Sequence, residues 1–94
     1  MTLIDSTLTV ARDPDLIAAP VDGETVMMSI ARGEYYGLNE VGTRIWALLE
    51  LPLTLAELSQ RLCAEYDITP AQCEADIAPF ISELLSRGIL RKQA

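Results

Sequence analysis

The feature that most limits what this chain can fold into is a change of period at Asn39. Before it, apolar residues alternate or come in short runs cut by turn residues; after it they recur every three or four positions. Period two lines one face of a strand and period 3.6 one face of a helix, so strands come first and helices follow. Leu16 to Val21 is an apolar run ending at Asp22-Gly23, a two-residue hairpin signal. Glu24 to Ala31 then alternates, with Val26, Met28 and Ile30 on one face and Met27 and Ser29 on the other, the pattern of a half-buried strand. Arg32-Gly33 turns the chain back into Glu34 to Leu38. These runs predict a short antiparallel meander whose last strand lies at an edge. Residues Thr7 to Val10 are β-prone but weakly patterned, and Asp13-Pro14-Asp15 reads as a turn.

Three helix starts follow. Asn39 is a good N-cap, and Val41, Ile45, Leu48 and Leu49 form a stripe flanked by Trp46, ended by Leu51-Pro52. Thr54-Leu55-Ala56-Glu57 is a capping box, with Leu53 and Leu58 placed as a hydrophobic staple and Leu55, Leu58 and Leu62 as the buried stripe. Thr69-Pro70-Ala71-Gln72 is a second capping box with proline at the first helical position. Its stripe is Cys73, Ile77, Phe80, Ile81, Leu84 and Leu85, and Gly88 is a C-cap glycine with Ile89 folding back on Leu84. Pro79 inside this helix predicts a kink or two shorter helices. The whole reads as an α+β, winged-helix-like fold, a three-stranded antiparallel sheet followed by three helices. It forms one domain over residues 1–94 with its core at about 16–91.

Composition narrows the function. Seven Lys and Arg face fourteen Asp and Glu, for a net charge of −7, and there is no histidine. Phosphate backbones are held chiefly by Lys and Arg, so nucleic acid is a poor partner and a cationic peptide a natural one. The N-terminal part of the third helix, Pro70 to Asp76, carries two acids and no base, the reverse of a DNA-reading helix. Without histidine the Ser-His and Cys-His nucleophiles and the commonest metal ligand are missing. Cys63 and Cys73 lie on apolar stripes and read as buried thiols, too few for a cysteine-only metal site. The carboxylates fall mostly on polar helix sides, and the glycine and lysine spacing of a phosphate loop is missing. We therefore expect no catalysis, no metal and no cofactor. Met1-Thr2-Leu3-Ile4-Asp5 is not a signal peptide, and no run is long enough to span a bilayer, so a cytoplasmic protein is expected. What remains is an edge strand, Glu34 to Leu38, beside an apolar helix. A peptide can cover such an edge by adding a strand.

The stretch from Gly33 to Leu49, G-E-Y-Y-G-L-N-E-V-G-T-R-I-W-A-L-L, resembles the G-x-Y-Y-x-L-N-x-x-G-x-x-I-W-x-L-L pattern of the PqqD-like family, the small domains called RiPP recognition elements. The likeness extends over about residues 16–91, from Asp22-Gly23 to the closing Leu84-Leu85-x-x-Gly88-Ile89-Leu90. It is greatest to the free-standing members of lasso-peptide pathways. It implies binding of the leader segment of a ribosomally made precursor peptide. It also implies a leader-cleaving cysteine protease and an ATP-dependent macrolactam synthetase as partners. In the family the leader adds beside the third strand and fills a groove against the third helix. Carried onto this chain, the groove has Glu34, Tyr35, Tyr36 and Gly37 on one side, and Asp76, Ile77, Phe80, Ile81 and Leu84 on the other. Tyr36 shares a face with Leu38 and is assigned mainly to packing. Part of the Ile77, Ile81 and Leu84 stripe is expected to stay uncovered for the peptide. Leader capture in another pathway (quinone-cofactor or radical-enzyme maturation), or a winged-helix regulator, stays open as an alternative.

Overall fold

The computed structural model describes residues 7–93; Met1 to Asp5 lie outside them. Along the chain run β1 (Thr9–Arg12), β2 (Leu16–Val21), β3 (Glu24–Ser29), β4 (Glu34–Leu38), α1 (Glu40–Leu48), β5 (Leu53–Thr54), α2 (Leu55–Tyr66), α3 (Pro70–Ser86) and β6 (Leu90–Gln93). The expected meander is there: β2, β3 and β4 form a three-stranded antiparallel sheet in that order. Asp22 (φ 52°) and Gly23 (φ 81°) turn β2 into β3. Positive φ at both central residues is what a type I′ hairpin requires. A second antiparallel sheet, in the order β5-β1-β6, went unforeseen. It pairs Thr9 with Gln93 and Arg12 with Leu90, and also Val10 with Leu53, so that the two ends of the domain close over the helices.

Each helix begins where its capping residue stands. Asn39 accepts from the Gly42 N–H, Thr54 from that of Glu57, and Thr69 from that of Gln72. At Thr54 the box is reciprocal, because Glu57 also accepts from the Thr54 N–H at 2.9 Å. Those hydrogen bonds hold the Glu57 carboxyl below its ordinary range, so their contribution is present above the unfolded pKa and lost as pH falls through the folded one. Thr54→Ala should cost about 1 kcal/mol of stability, read as a lowered melting temperature. An unchanged melt would show that the start of α2 is held by the packing of Leu53 and Leu58 instead. α3 ends in a Schellman motif: the Ile89 N–H donates to Leu84 and that of Gly88 to Leu85, with Gly88 at φ 76°. Of the two outcomes expected at Pro79, a kink or a division into two helices, the division is not met, since α3 runs as one helix from Pro70 to Ser86. Ala75 and Pro79 both lie on its exposed side, so the carbonyl that proline leaves without a donor faces water.

The core gathers Val10, Met27, Leu38, Ile45, Leu49, Leu58, Leu62, Ile81, Leu84 and Leu90, with Trp46 and Phe80 packed against it. Arg12 lies over the Trp46 ring, 4.5 Å from its centroid, and donates to the Trp46 carbonyl. This joins the second sheet to α1. Cys73 is buried and Cys63 partly so, both as free thiols, and burial pushes the Cys73 thiol up from its ordinary pKa. In β3 the buried side is Thr25 and Met27, while Val26 and Met28 lie on the outer face, and Ile30 falls in the turn just beyond the strand, exposed. The period read from the sequence holds, and the face richer in apolar residues turns out to be the outer one.

Candidate functional site

The two edges of the meander differ. In a two-residue hairpin the closing pair, here Val21 and Glu24, is hydrogen-bonded, and such pairs then alternate along the ladder. Pro20 therefore falls at a position whose N–H points away from β3, the one place a strand proline costs no ladder bond. That edge is blunted. Continuing the alternation through the β3–β4 register places Tyr36 and Leu38 toward β3 and leaves the backbone groups of Tyr35 and Gly37 at the free edge of β4. No proline or lysine guards it. A Cβ added to Gly37 would meet nothing within 4 Å, so a partner backbone has room to approach.

Beside this edge runs the outward side of α3. Asp76, Pro79, Phe80 and Glu83 line one shallow depression along it. The Phe80 ring backs onto α1, where a Cβ on Gly42 would stand 3.1 Å from the Phe80 Cζ. Gly42 thus lets the helices close enough to set that ring at the floor of the depression. A second, smaller hollow at the other end is lined by Glu34, Tyr35 and Tyr36 together with Arg32 and Arg87. The two are joined through side chains. Tyr36 donates its hydroxyl to Glu83 (3.1 Å), Arg87 stacks 5.0 Å over the Tyr36 ring, and Arg32 donates to the Arg87 carbonyl (2.7 Å). Burial, and then the bond to Glu83, raise the Tyr36 pKa, so the phenol stays a neutral donor. Tyr36 therefore ties β4 to α3 between the two hollows.

The structure sorts the expected groove residues. Glu34, Tyr36 and the Gly37 backbone border it from β4, and Asp76 and Phe80 from α3. The Tyr35 side chain points to the other face of the sheet and is 74% exposed, so only its backbone serves the edge. Ile77, Ile81 and Leu84 are corrected to core positions, at 7%, 0% and 1% exposure. They lie on the side of α3 that packs against α2 and β6. Sequence reading missed Glu83, Arg87 and Arg32. Glu83 was within reach, because it follows Phe80 by three positions and Asp76 by seven on one helix ridge.

Residues 24–90 match the family described as coenzyme PQQ synthesis protein D, PqqD. The chain belongs to the PqqD family. Solved structures similar to this PqqD-family chain include TbiB1 in complex with the TbiA(beta) leader peptide, at 32% identity and a TM-score of 0.79. That match covers 89% of this chain and 98% of that one. A lasso peptide synthetase B1 complexed with the leader peptide is similar at 28% identity and a TM-score of 0.72, over 86% and 95% of the two chains. The PqqD truncation of Methylobacterium extorquens PqqCD, described as a stand-alone RiPP recognition element, shares the fold. Its TM-score is 0.79 at 20% identity, over 96% of each chain. No curated protein matches significantly. The resemblance expected from the Tyr35-Tyr36-Gly37-Leu38-Asn39 stretch is thus borne out. The expected α+β fold is too, with the winged-helix label a loose one given the second sheet.

Proposed function

We propose that this protein binds the leader segment of a ribosomally made precursor peptide by strand addition to β4, within the groove against α3. It does so without catalysis, in the cytoplasm, on a lasso-peptide pathway. The observation that carries this reading is the contrast between the two sheet edges. β2 is blunted by Pro20, whereas β4 is open, has free space at Gly37 and runs beside the depression of Asp76, Phe80 and Glu83. Two structures bound to leader peptides share the fold at 28–32% identity. The leader loses conformational entropy on ordering, offset by main-chain hydrogen bonds and by apolar side chains meeting Phe80 and the Tyr36 ring. Holding one end of the precursor raises its effective concentration near the enzymes that act on it, a leader-cleaving cysteine protease and an ATP-dependent macrolactam synthetase. The chain itself has no histidine for a nucleophilic dyad, so the purified protein should leave the precursor intact.

Calorimetric titration with the synthetic leader tests the reading, and saturable one-to-one binding is expected. Absence of heat and of any backbone shift in β4 by NMR would overturn it. Glu34, Asp76 and Glu83 give the groove an acidic border, answered there by Arg87. Affinity should therefore fall modestly between 0.1 M and 1 M salt, as exposed pairs worth ~0–1 kcal/mol each are screened. Affinity independent of salt would remove the electrostatic share.

A further inference from the structure

Two of the chain's seven cations converge on one hollow at the start of β4. Arg32 and Arg87, both exposed, line it together with Leu16, Met27 and Ile89, which are partly or fully buried. The hollow is therefore apolar inside and cationic at its mouth. Its shape is built by the end of α3. At Gly88 (φ 76°) a Cβ would stand 2.8 Å from Nη2 of Arg32, so the glycine that closes the helix also makes room for the guanidinium. That guanidinium donates to the Arg87 carbonyl at 2.7 Å, a bond that leaves most of its donors free. Neither charge is closely neutralised. Arg32 forms no ion pair among the described residues, and Arg87 meets Glu83 at 3.5 Å. Glu34, the acid that lines the same hollow, pairs with neither. The depression farther along α3 has the opposite sign, with Asp76 and Glu83.

We infer that the Arg32–Arg87 hollow is a subsite for one Asp or Glu side chain of the leader, whose carboxylate accepts from both guanidiniums. The inference rests on the strand-addition reading, because only a strand beside β4 brings side chains here in register. Every second side chain of such a strand points to the face that holds Tyr36, and one of them falls at the hollow. A carboxylate matches the planar fork of arginine and accepts from it in pairs. A Lys or Arg of the leader at this place would be repelled. An apolar side chain would cover two guanidiniums and leave them without an acceptor, which is costly. The two ends of the leader-binding surface thus select opposite charges, and a leader is read by the order of its charges as well as by its apolar residues.

The test is calorimetric titration of the full chain with the cognate leader, synthesised with each Asp and Glu changed in turn to Asn or Gln. One such change should weaken binding about tenfold, the scale of a charge-assisted pair of hydrogen bonds. On Arg32→Gln the same change should cost nothing further, because groups that touch are not additive. Arg32→Glu should regain affinity for the leader that carries Lys at that position. Arg87→Gln gives the same cycle from the other guanidinium. If Arg32 only ties the β3–β4 turn to α3, its variants would weaken every leader alike, and that result would overturn the inference. So would a bound leader segment with no Asp or Glu, or one whose acids can all be changed without loss. Inorganic phosphate held at Arg32 and Arg87 while the leader's acids are silent would assign the hollow to a free anion and overturn it too. A wild-type chain that binds no leader would instead remove the strand-addition reading, and this inference with it.

Discussion

Ile81→Asp is expected to abolish folding. Ile81 is fully buried, in the middle of α3 on the side that packs into the common core. The substitution forfeits roughly 1.5–3 kcal/mol of apolar burial. It also places an unpaired carboxyl in an apolar site, at a further cost of several kcal/mol even after the group takes up a proton. Against a total stability of about 5–15 kcal/mol for any domain, with small domains at the low end, little is left. Far-UV circular dichroism should show lost helix and no cooperative melt. Phe80→Asp, one position earlier on the partly exposed groove side, should fold with a lowered melting temperature and lose leader binding. A cooperative, near-native melt for Ile81→Asp would return that residue to the groove wall and displace the site assigned to Phe80.

Gly37→Pro should leave the fold intact and reduce leader affinity at least tenfold. The Gly37 N–H is at the free edge of β4, so proline there removes no bond to β3, as Pro20 removes none in β2. It does remove one donor that an added strand needs, worth about 0.5–1.5 kcal/mol net. Its ring also stands where the partner backbone must come closest. Gly37→Ala is the control: it keeps the N–H, and its methyl group enters space with no atom within 4 Å. The alanine variant should bind within a few-fold of wild type, with both melts close to that of the parent. Equal leader affinity for the proline variant and wild type would place the peptide off this edge and sink the strand-addition mechanism.

Leader binding separates what each level of structure contributes. The local chemistry of this chain was legible. Asp22-Gly23 set the hairpin, and Asn39, Thr54 and Thr69 set the helix starts. Gly88 set the end of α3, because caps and turns satisfy backbone groups within a few residues of themselves. The stripe Leu55, Leu58 and Leu62 was buried as read, since α2 has one apolar side and no choice of which to turn inward. The second sheet was not legible. Leu90–Gln93 carries one buried residue and three exposed polar ones, and becomes a strand by pairing with Thr9–Arg12 from the far end of the chain.

Where a segment is apolar on more than one side, the sequence alone determined its period and tertiary packing decided its facing. β3 has Val26 and Met28 on one face and Met27 on the other, and either would satisfy an alternating pattern. α1 packs against one side only, so Met27 went in and the richer face stayed out. α3 has a six-residue apolar stripe wide enough to meet both the core and a groove. Its division into buried Ile77, Ile81 and Leu84 and half-covered Phe80 was fixed by where α2, β6 and Gly42 of α1 stand. The sequence determined the meander, the three helices, their capped ends and the family. The groove and the bare sheet face arose only in the assembled fold, because burial is a property of the neighbours a side chain meets.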